Sequence, residues 1–303
     1  LLLFLRFLGP MQEGDRATRV LVTGARGQLG SRLVEFGMRR RTLHVVGLDQ
    51  TDLDITDPSS IRNALAKHTP DVVVNAAAYT AVDLAEREPE RAFDINGQGV
   101  EHLAEACSQH GVALIHVSTD YVFGEVERVP LAPSEPTGPL GGYGASKLEG
   151  EQAFMASGVH GAVVRVAWLY DARGSNFLTT MLRLANQHGR LKVVNDQHGV
   201  PTSAPALAEA LLDMAECGQD MPQGIRHFAH AGHTTWHGFA SAIVGHAGLD
   251  VPVEAVTSEA FPTAATRPAW SVLDGAPLHQ EMGWTFEPWQ NALAACWELR
   301  EEG

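Results

Sequence analysis

A tyrosine and a lysine stand four residues apart in "GYGASKLEGE", as Tyr143 and Lys147 within Gly142–Glu151. Four residues is about one helical turn, so on a helix the two side chains face the same way. A free phenol has a pKa of about 10 and exchanges protons sluggishly at neutral pH. An ammonium beside it favours the phenolate, so Lys147 is expected to lower the Tyr143 pKa. Such a phenol donates a proton to a carbonyl oxygen that is receiving hydride, and takes one in the reverse direction. Thr119, in "STDYVFG", adds a hydroxyl suited to bonding the same oxygen and polarising the C=O. An ordinary Tyr/Lys pair on a helix surface has the same spacing. What else the chain brings to the pair therefore decides.

"TGARGQLG" brings Gly24, Gly27 and Gly30, a G-x-x-G-x-x-G pattern directly between a short apolar run and a helical pattern. Gly24 permits the tight turn, Gly27 lets the backbone approach a pyrophosphate, and Gly30 lets the helix pack close to the sheet. The helix start, with Arg26, Gln28 and Leu29 in the same turn, offers amides and a positive dipole end to phosphates. In this strand–turn–helix setting the pattern predicts dinucleotide binding. Asp49 closes the next strand, where a carboxylate accepts from the adenosine ribose 2′-OH, which favours NAD. Arg26 and the run Arg39–Arg41 suit the 2′-phosphate of NADP instead, so NADPH and NADH both stay open. Asp54, in "DLDITD", is expected either beside the adenine or as a turn or helix-capping acid. A calcium loop is rejected there, because Asp57 stands where the sixth-position glycine is required.

These residues need a scaffold, and the order of elements supplies one. Strands are expected at Arg19–Gly24, Leu43–Asp49, Asp71–Ala78, Val112–Asp120 and Gly161–Tyr170. Helices follow the glycine turn, span Pro58–His68, lie near Gly97–His110 and start near Tyr143. Strand and helix alternating this regularly predict an α/β protein with a doubly wound parallel Rossmann sheet. After Tyr170 the pattern loosens into short strands, helices and Pro/Gly-rich loops, a smaller interleaved C-terminal substrate lobe. The expected division is an N-terminal extension over 1–18, a dinucleotide-binding domain over 19–167 with return elements near 190–230, and a mainly substrate-binding lobe over 168–303. In such a sheet ligands bind at the carboxyl ends of the strands. Ser118, Thr119 and Asp120 end the fourth strand, and Tyr143 follows on the same edge.

The 303 residues carry a net charge of −14, which argues against general nucleic-acid binding. Cys107, Cys217 and Cys296 form no CxxC and read as reduced thiols of a cytoplasmic protein. No apolar run reaches the ~18 residues of a membrane span. "LLLFLRFL" (Leu1–Leu8) is apolar but short, with no cleavage-site pattern after it, and Met11 is the expected start. His227, His230, His233 and His237 tempt a zinc reading, but a strand followed by a turn and a helix scatters them, so no metal is expected.

Taken together, "TGARGQLG", "VVNAAAYTAVDLAE", "VSTDYVFG", "YGASK", "VRVAWLY", "NFLTTMLRL" and "VVNDQHGVPT" resemble the extended short-chain dehydrogenase/reductases, and within them the dTDP-4-dehydrorhamnose reductase family. The likeness runs from about Arg19 to Trp297. It implies a Thr119/Tyr143/Lys147 catalytic set acting on a nucleotide-sugar ketone, with hydride from NADPH or NADH reaching C4 and Tyr143 protonating O4. By the same resemblance Lys147 also holds the nicotinamide ribose, and Ala76, Ala77 and Tyr79 line the cofactor. Asp120 and Tyr121 border the substrate, Trp168 packs on the sugar, and Arg267 either meets its phosphates or makes a salt bridge. Some members form a metal-linked dimer through a glutamate early in the first helix. Arg32 stands there, so that metal is not expected, and monomer and homodimer both stay open. Two alternatives remain: another nucleotide-sugar epimerase or dehydratase, and a non-catalytic NADP-binding subunit related to that of methionine adenosyltransferase. Dehydratases place Asp-Glu after this threonine, whereas here Tyr121 follows Asp120.

Overall fold

The structure, a computed structural model, describes residues 16–300. The extension expected over 1–18 falls mostly outside them, and Thr18 already begins the first strand.

Six parallel strands form the central sheet: β1 (Thr18–Thr23), β2 (Leu43–Leu48), β3 (Val72–Asn75), β4 (Ala113–Thr119), β5 (Gly161–Val166) and, returning from the C-terminal half, β10 (Gly224–His227). Their order is β10-β5-β4-β3-β1-β2. Val72–Val74, Leu114–Ile115 and Ala162–Val164 are almost wholly buried, as strands covered on both faces must be. On one face lies α1 (Gln28–Gly37), whose Leu29, Leu33 and Phe36 pack with Val20, Val22 and Val74. On the other lie α2 (Pro58–His68) and α5 (Gly99–His110) against Leu21, Val73 and Leu114. Helix α2 starts on an Asp57 cap with Pro58 in its first turn, both strong start signals. Between β3 and α5 come the short α3 (Val82–Ala85), α4 (Pro89–Phe93) and a π-helical turn at Asp94–Gln98 that runs straight into α5.

Helix α6 (Gly142–Ser157) joins the α5 face. Its approach to the loop after β4 demands glycine: a Cβ on Gly144 would meet the Tyr121 carbonyl oxygen at 2.1 Å. The Glu86 carboxylate accepts from Gly142 N (2.7 Å) and supplies the N-terminal cap that Gly141 lacks.

The fifth strand expected over Gly161–Tyr170 is two strands. β5 stops at Val166, and β6 (Leu169–Tyr170) pairs with β9 (Thr202–Ser203) in a separate sheet. The break falls at Trp168, which has φ +50. A bulky residue in the left-handed region turns the chain out of the sheet and toward the C-terminal half. There, α7 (Phe177–His188), β7 (Leu191–Val194) and β8 (His198–Gly199) precede β9, and α8 (Ala204–Glu216) crosses back to pack beside α1. After β10 come β11 (Thr234–Thr235), α9 (Trp236–His246), β12 (Val253–Val256), β13 (Trp270–Ser271), α10 (Ala276–Met282) and α11 (Trp289–Glu298). Phe239, Leu178, Tyr170, Val200 and Leu293 centre a second core among these elements. No helix among the described residues is long and apolar enough to cross a membrane.

Candidate active site

The strand order reverses between β1 and β3, and the turn after β1 sits at that switch point. Gly24 has φ +63, and a Cβ on it would stand 2.8 Å from Ala77 of the loop after β3. Only glycine fits. Gly27 begins α1 without any side-chain cap, and no acid lies in the first turn. The amides of Gln28, Leu29 and Gly30 therefore open toward an anion, as a pyrophosphate requires. Asp49 accepts from Thr51 N (2.8 Å) and Oγ1 (2.6 Å), and pairs with Arg26 Nε at 2.6 Å. These bonds to Thr51 and the Arg26 charge hold its carboxyl below the usual range. A carboxylate and an exposed guanidinium thus share the end of β2. Asp54 Oδ1 accepts from Thr56 N (2.9 Å) and Oγ1 (2.7 Å), the bonds of a turn. Beyond Ala76 and Ala77, buried Tyr79 donates its hydroxyl to Glu88 at 3.0 Å, and its backbone is held by Asn96 of the π turn.

At the carboxyl end of β4, Thr119 Oγ1 donates to Asp120 Oδ1 (3.0 Å) and accepts from Tyr121 N (3.2 Å). Tyr143, in the first turn of α6, meets Tyr121 edge-on with ring centroids 5.5 Å apart. Burial pushes the Tyr143 phenol up to about 12, the nearby Asp120 carboxylate adds to the rise, and the Thr119 hydroxyl works against it. This corrects the expectation that Lys147 lowers it. The reason lies in where the lysine head group goes. Its Nζ donates to Val117 O at 2.7 Å and meets His116 Nε2 at 3.2 Å, on the sheet side of the helix. Burial brings Lys147 down to about 8, with Glu151 one turn on opposing the fall. Asp120 is 2% exposed, its Oδ2 has no partner, and burial raises its carboxyl to about 6.

Trp168 stacks on Trp236 at 3.6 Å between ring centroids and covers Gly199, where a Cβ would touch the indole. Arg267 makes a salt bridge to Asp83 at 2.7 Å and lies close enough to Tyr121 for each to feel the other's charge. Arg32 is buried in a two-bond pair with Asp171, each at 2.6 Å, with Glu35 at 3.0 Å. The four histidines diverge: His227 Nδ1 meets Leu131 O, His237 Nε2 meets Val253 O, and burial holds His227 and His230 down to about 3. Among the described residues no group of three His, Cys, Asp or Glu is placed to hold a metal ion.

Two buried polar groups around α6 escape a reading by motif. Glu151 is clamped by Arg165 of β5 (2.6 and 2.9 Å) and by Ser118 Oγ (2.6 Å), which pins the helix to two strands. On the same face, Thr23, Asn75 and His116 lie side by side in the register of β1, β3 and β4. Thr23 Oγ1 is 2.6 Å from Asn75 Oδ1, and Asn75 Nδ2 is 3.0 Å from His116 Nδ1. The available signal was a polar residue repeating at one level of otherwise apolar strands.

A family model described as the RmlD substrate binding domain matches residues 18–301. The chain belongs to the dTDP-4-dehydrorhamnose reductase family. It is 40% identical to the dTDP-4-dehydrorhamnose reductase of Burkholderia thailandensis over 92% of this chain and 97% of that protein. It is 44% identical to that of Streptomyces griseus over 84% and 85%. The crystal structure of the Bacillus anthracis reductase in complex with NADP superposes with a TM-score of 0.89 at 32% identity, covering 94% of this chain and all of that one. The resemblance drawn from the motifs is thus shown over almost the whole chain.

Proposed function

We propose that this chain reduces the 4-keto group of dTDP-4-dehydro-L-rhamnose, or of a related dTDP-4-keto-6-deoxyhexose, with NADPH or NADH. The observation that carries the reading is the gathering of Thr119, Tyr143 and buried Lys147 at the carboxyl edge of the sheet, beside the glycine turn, in a member of this family. The bare amides of α1 suit the pyrophosphate, with Gly24, Arg26, Gly27, Gln28, Leu29 and Gly30 forming the turn. Asp49 and Arg26 meet the adenosine ribose or its phosphate, and Ala76, Ala77 and Tyr79 border the cofactor. Bound nicotinamide in its reduced form supplies the hydride.

The chain's own part is the proton. A phenol near 12 is fully protonated at neutral pH and so ready to give H⁺ to the oxygen that hydride arrival makes an alkoxide. Thr119 donates to the same oxygen while it is still a ketone. Lys147 holds the ribose hydroxyls and supplies positive charge as Tyr143 turns into a phenolate. Asp120, Tyr121 and Trp168 contact the sugar, and Arg267 exchanges Asp83 for the substrate phosphates.

The test is turnover of dTDP-4-dehydro-L-rhamnose with nicotinamide cofactor carrying deuterium at the transferable position. Deuterium fixed at sugar C4, with one cofactor oxidised per product, is the expected result. No deuterium at C4 and no net cofactor oxidation would overturn the reading, and dTDP-glucose deuterated at C4 passing that deuterium to C6 without net oxidation would mean a dehydratase.

A further inference from the structure

Lys147 is the end of a chain of four buried polar side chains, the other three of which the triad chemistry does not use. From β1 to α6 it runs Thr23, Asn75, His116, Lys147, each 0% or 1% exposed. The links are 2.6, 3.0 and 3.2 Å. Sheet register sets the first three at one level, so their side chains share the face that α6 covers.

The three inner members have a chemical property in common. A hydroxyl, a carboxamide and a neutral imidazole can each donate or accept along the chain, depending on rotor, amide orientation and tautomer. With Lys147 charged, its ammonium donates to His116 Nε2. The proton on Nδ1 then points at the Asn75 carbonyl oxygen, and the Asn75 amide points at Thr23. With Lys147 neutral the order reverses: Thr23 donates to Asn75 Oδ1, Asn75 Nδ2 to His116 Nδ1, and His116 Nε2–H to the amine. At the far end the charged state costs the Thr23 hydroxyl its acceptor, Asn75 Oδ1, but leaves the Ala77 amide bonded. The Ala77 amide is shared between Asn75 Oδ1 (3.2 Å) and Thr23 Oγ1 (3.3 Å), so it keeps a partner in both states. Lys147 keeps Val117 O in both states as well. An unpaired polar group at this depth would carry the full cost of its desolvation.

We infer that His116, through this reversible chain, is a positioning residue that lets Lys147 change charge in place. The inference rests on Lys147 acting as proposed above. Since Thr23 is itself buried, the chain is no proton route to solvent. It is an adapter that keeps the Lys147 nitrogen bonded to both His116 and Val117 O in either charge state. The groups around the lysine leave this role to His116. Glu151 on its own helix is paired with Arg165 of β5 and still favours the charged lysine, while Glu101 of α5 stands against Glu149. Tyr143 lies one turn before it, beside Asp120. The lowered Lys147 sets the window near pH 8.

Nitrogen-15 NMR of histidine-labelled full-length protein, free of substrate, reads the tautomer of His116 directly. Across pH 6 to 10 the His116 signal is expected to pass from the Nδ1–H to the Nε2–H tautomer around pH 8, never as imidazolium, and the switch should vanish in Lys147→Met. A single tautomer throughout, an imidazolium signal, or a switch that survives Lys147→Met overturns the proposal. Since no turnover is needed, this arm can fail while the reductase reading stands. In kinetics, His116→Leu should lower kcat roughly tenfold or more at pH 7, the effect of one unmade buried bond, and shift the pH profile. His116→Gln, which still offers both a donor and an acceptor, should restore much of the loss. Equal loss in both variants with unaltered pH profiles would leave His116 a packing residue only.

Discussion

Asp120 shows at the scale of one residue how a site is built against stability. Its carboxyl is pushed up to about 6 because it is buried, against the pull of the Ser271 and Thr119 hydroxyls. Its folded pKa lies above the unfolded value, so the native state binds more protons between about pH 4 and 6. Stability therefore falls as pH rises through that window, and the cost is fully present above it. Asp120→Asn should make the fold more stable at pH 7 by on the order of 1–2 kcal/mol, with no gain at pH 3.5, while lowering turnover. Urea melts at the two pH values check this, and an equal effect at both would show that the charge is not the cause. Residues of this kind were partly legible in the sequence. Thr119, Asp120, Tyr143 and Lys147 sit in local motifs at strand and helix ends. Asn75 and His116 sit inside apolar runs, and nothing local distinguishes a polar residue that faces a helix from one that faces a turn.

At the scale of elements, Arg32 and Asp171 join α1 to the segment after β6 across 139 residues of sequence. Both side chains are almost fully buried, at 2% and 3% exposure. Removing one partner strands the other's charge, which costs roughly 3 kcal/mol or more, whereas removing both is far cheaper. Asp171→Leu is expected to lower the urea midpoint strongly, and Arg32→Met/Asp171→Leu to recover most of the loss. Single variants costing under ~1 kcal/mol would show the pair to be solvated. Long-range pairs like this one leave no trace in sequence spacing. The elements they join leave clear ones. Helix α2 matches its expected span, Pro58–His68, because cap, proline and C-terminal turn all lie nearby in sequence. The strand ending at Val166 was read four residues too long, since the turn at Trp168 uses positive φ without the glycine that ordinarily announces it.

For the whole molecule, the lysine at the centre of the site links stability to pH. Its folded pKa of about 8 lies below the ordinary lysine value of 10.5, so the native state binds fewer protons between those limits. The cost of burying the ammonium is full below about pH 8 and is relieved as pH rises toward 10.5. Stability measured from pH 8 to 10 should therefore rise in the wild type relative to Lys147→Met, and parallel curves would contradict the burial of a charged lysine. Five of the six strands in the scaffold that imposes this burial were readable from alternation alone. Return elements were expected near 190–230, but the edge that β10 joins and the side of α1 on which α8 packs were not readable, because they depend on where a distant segment packs.

The account depends most on the phenol of Tyr143 as the proton source. Steady-state turnover of dTDP-4-dehydro-L-rhamnose by Tyr143→Phe, with NADPH affinity measured on the same preparation, tests it most directly. The expected result is a kcat lowered by roughly 10²–10⁴-fold, the usual worth of a positioned general acid, with the NADPH Kd unchanged. A variant that keeps more than about a tenth of wild-type kcat would contradict it, because another group would then be delivering the proton.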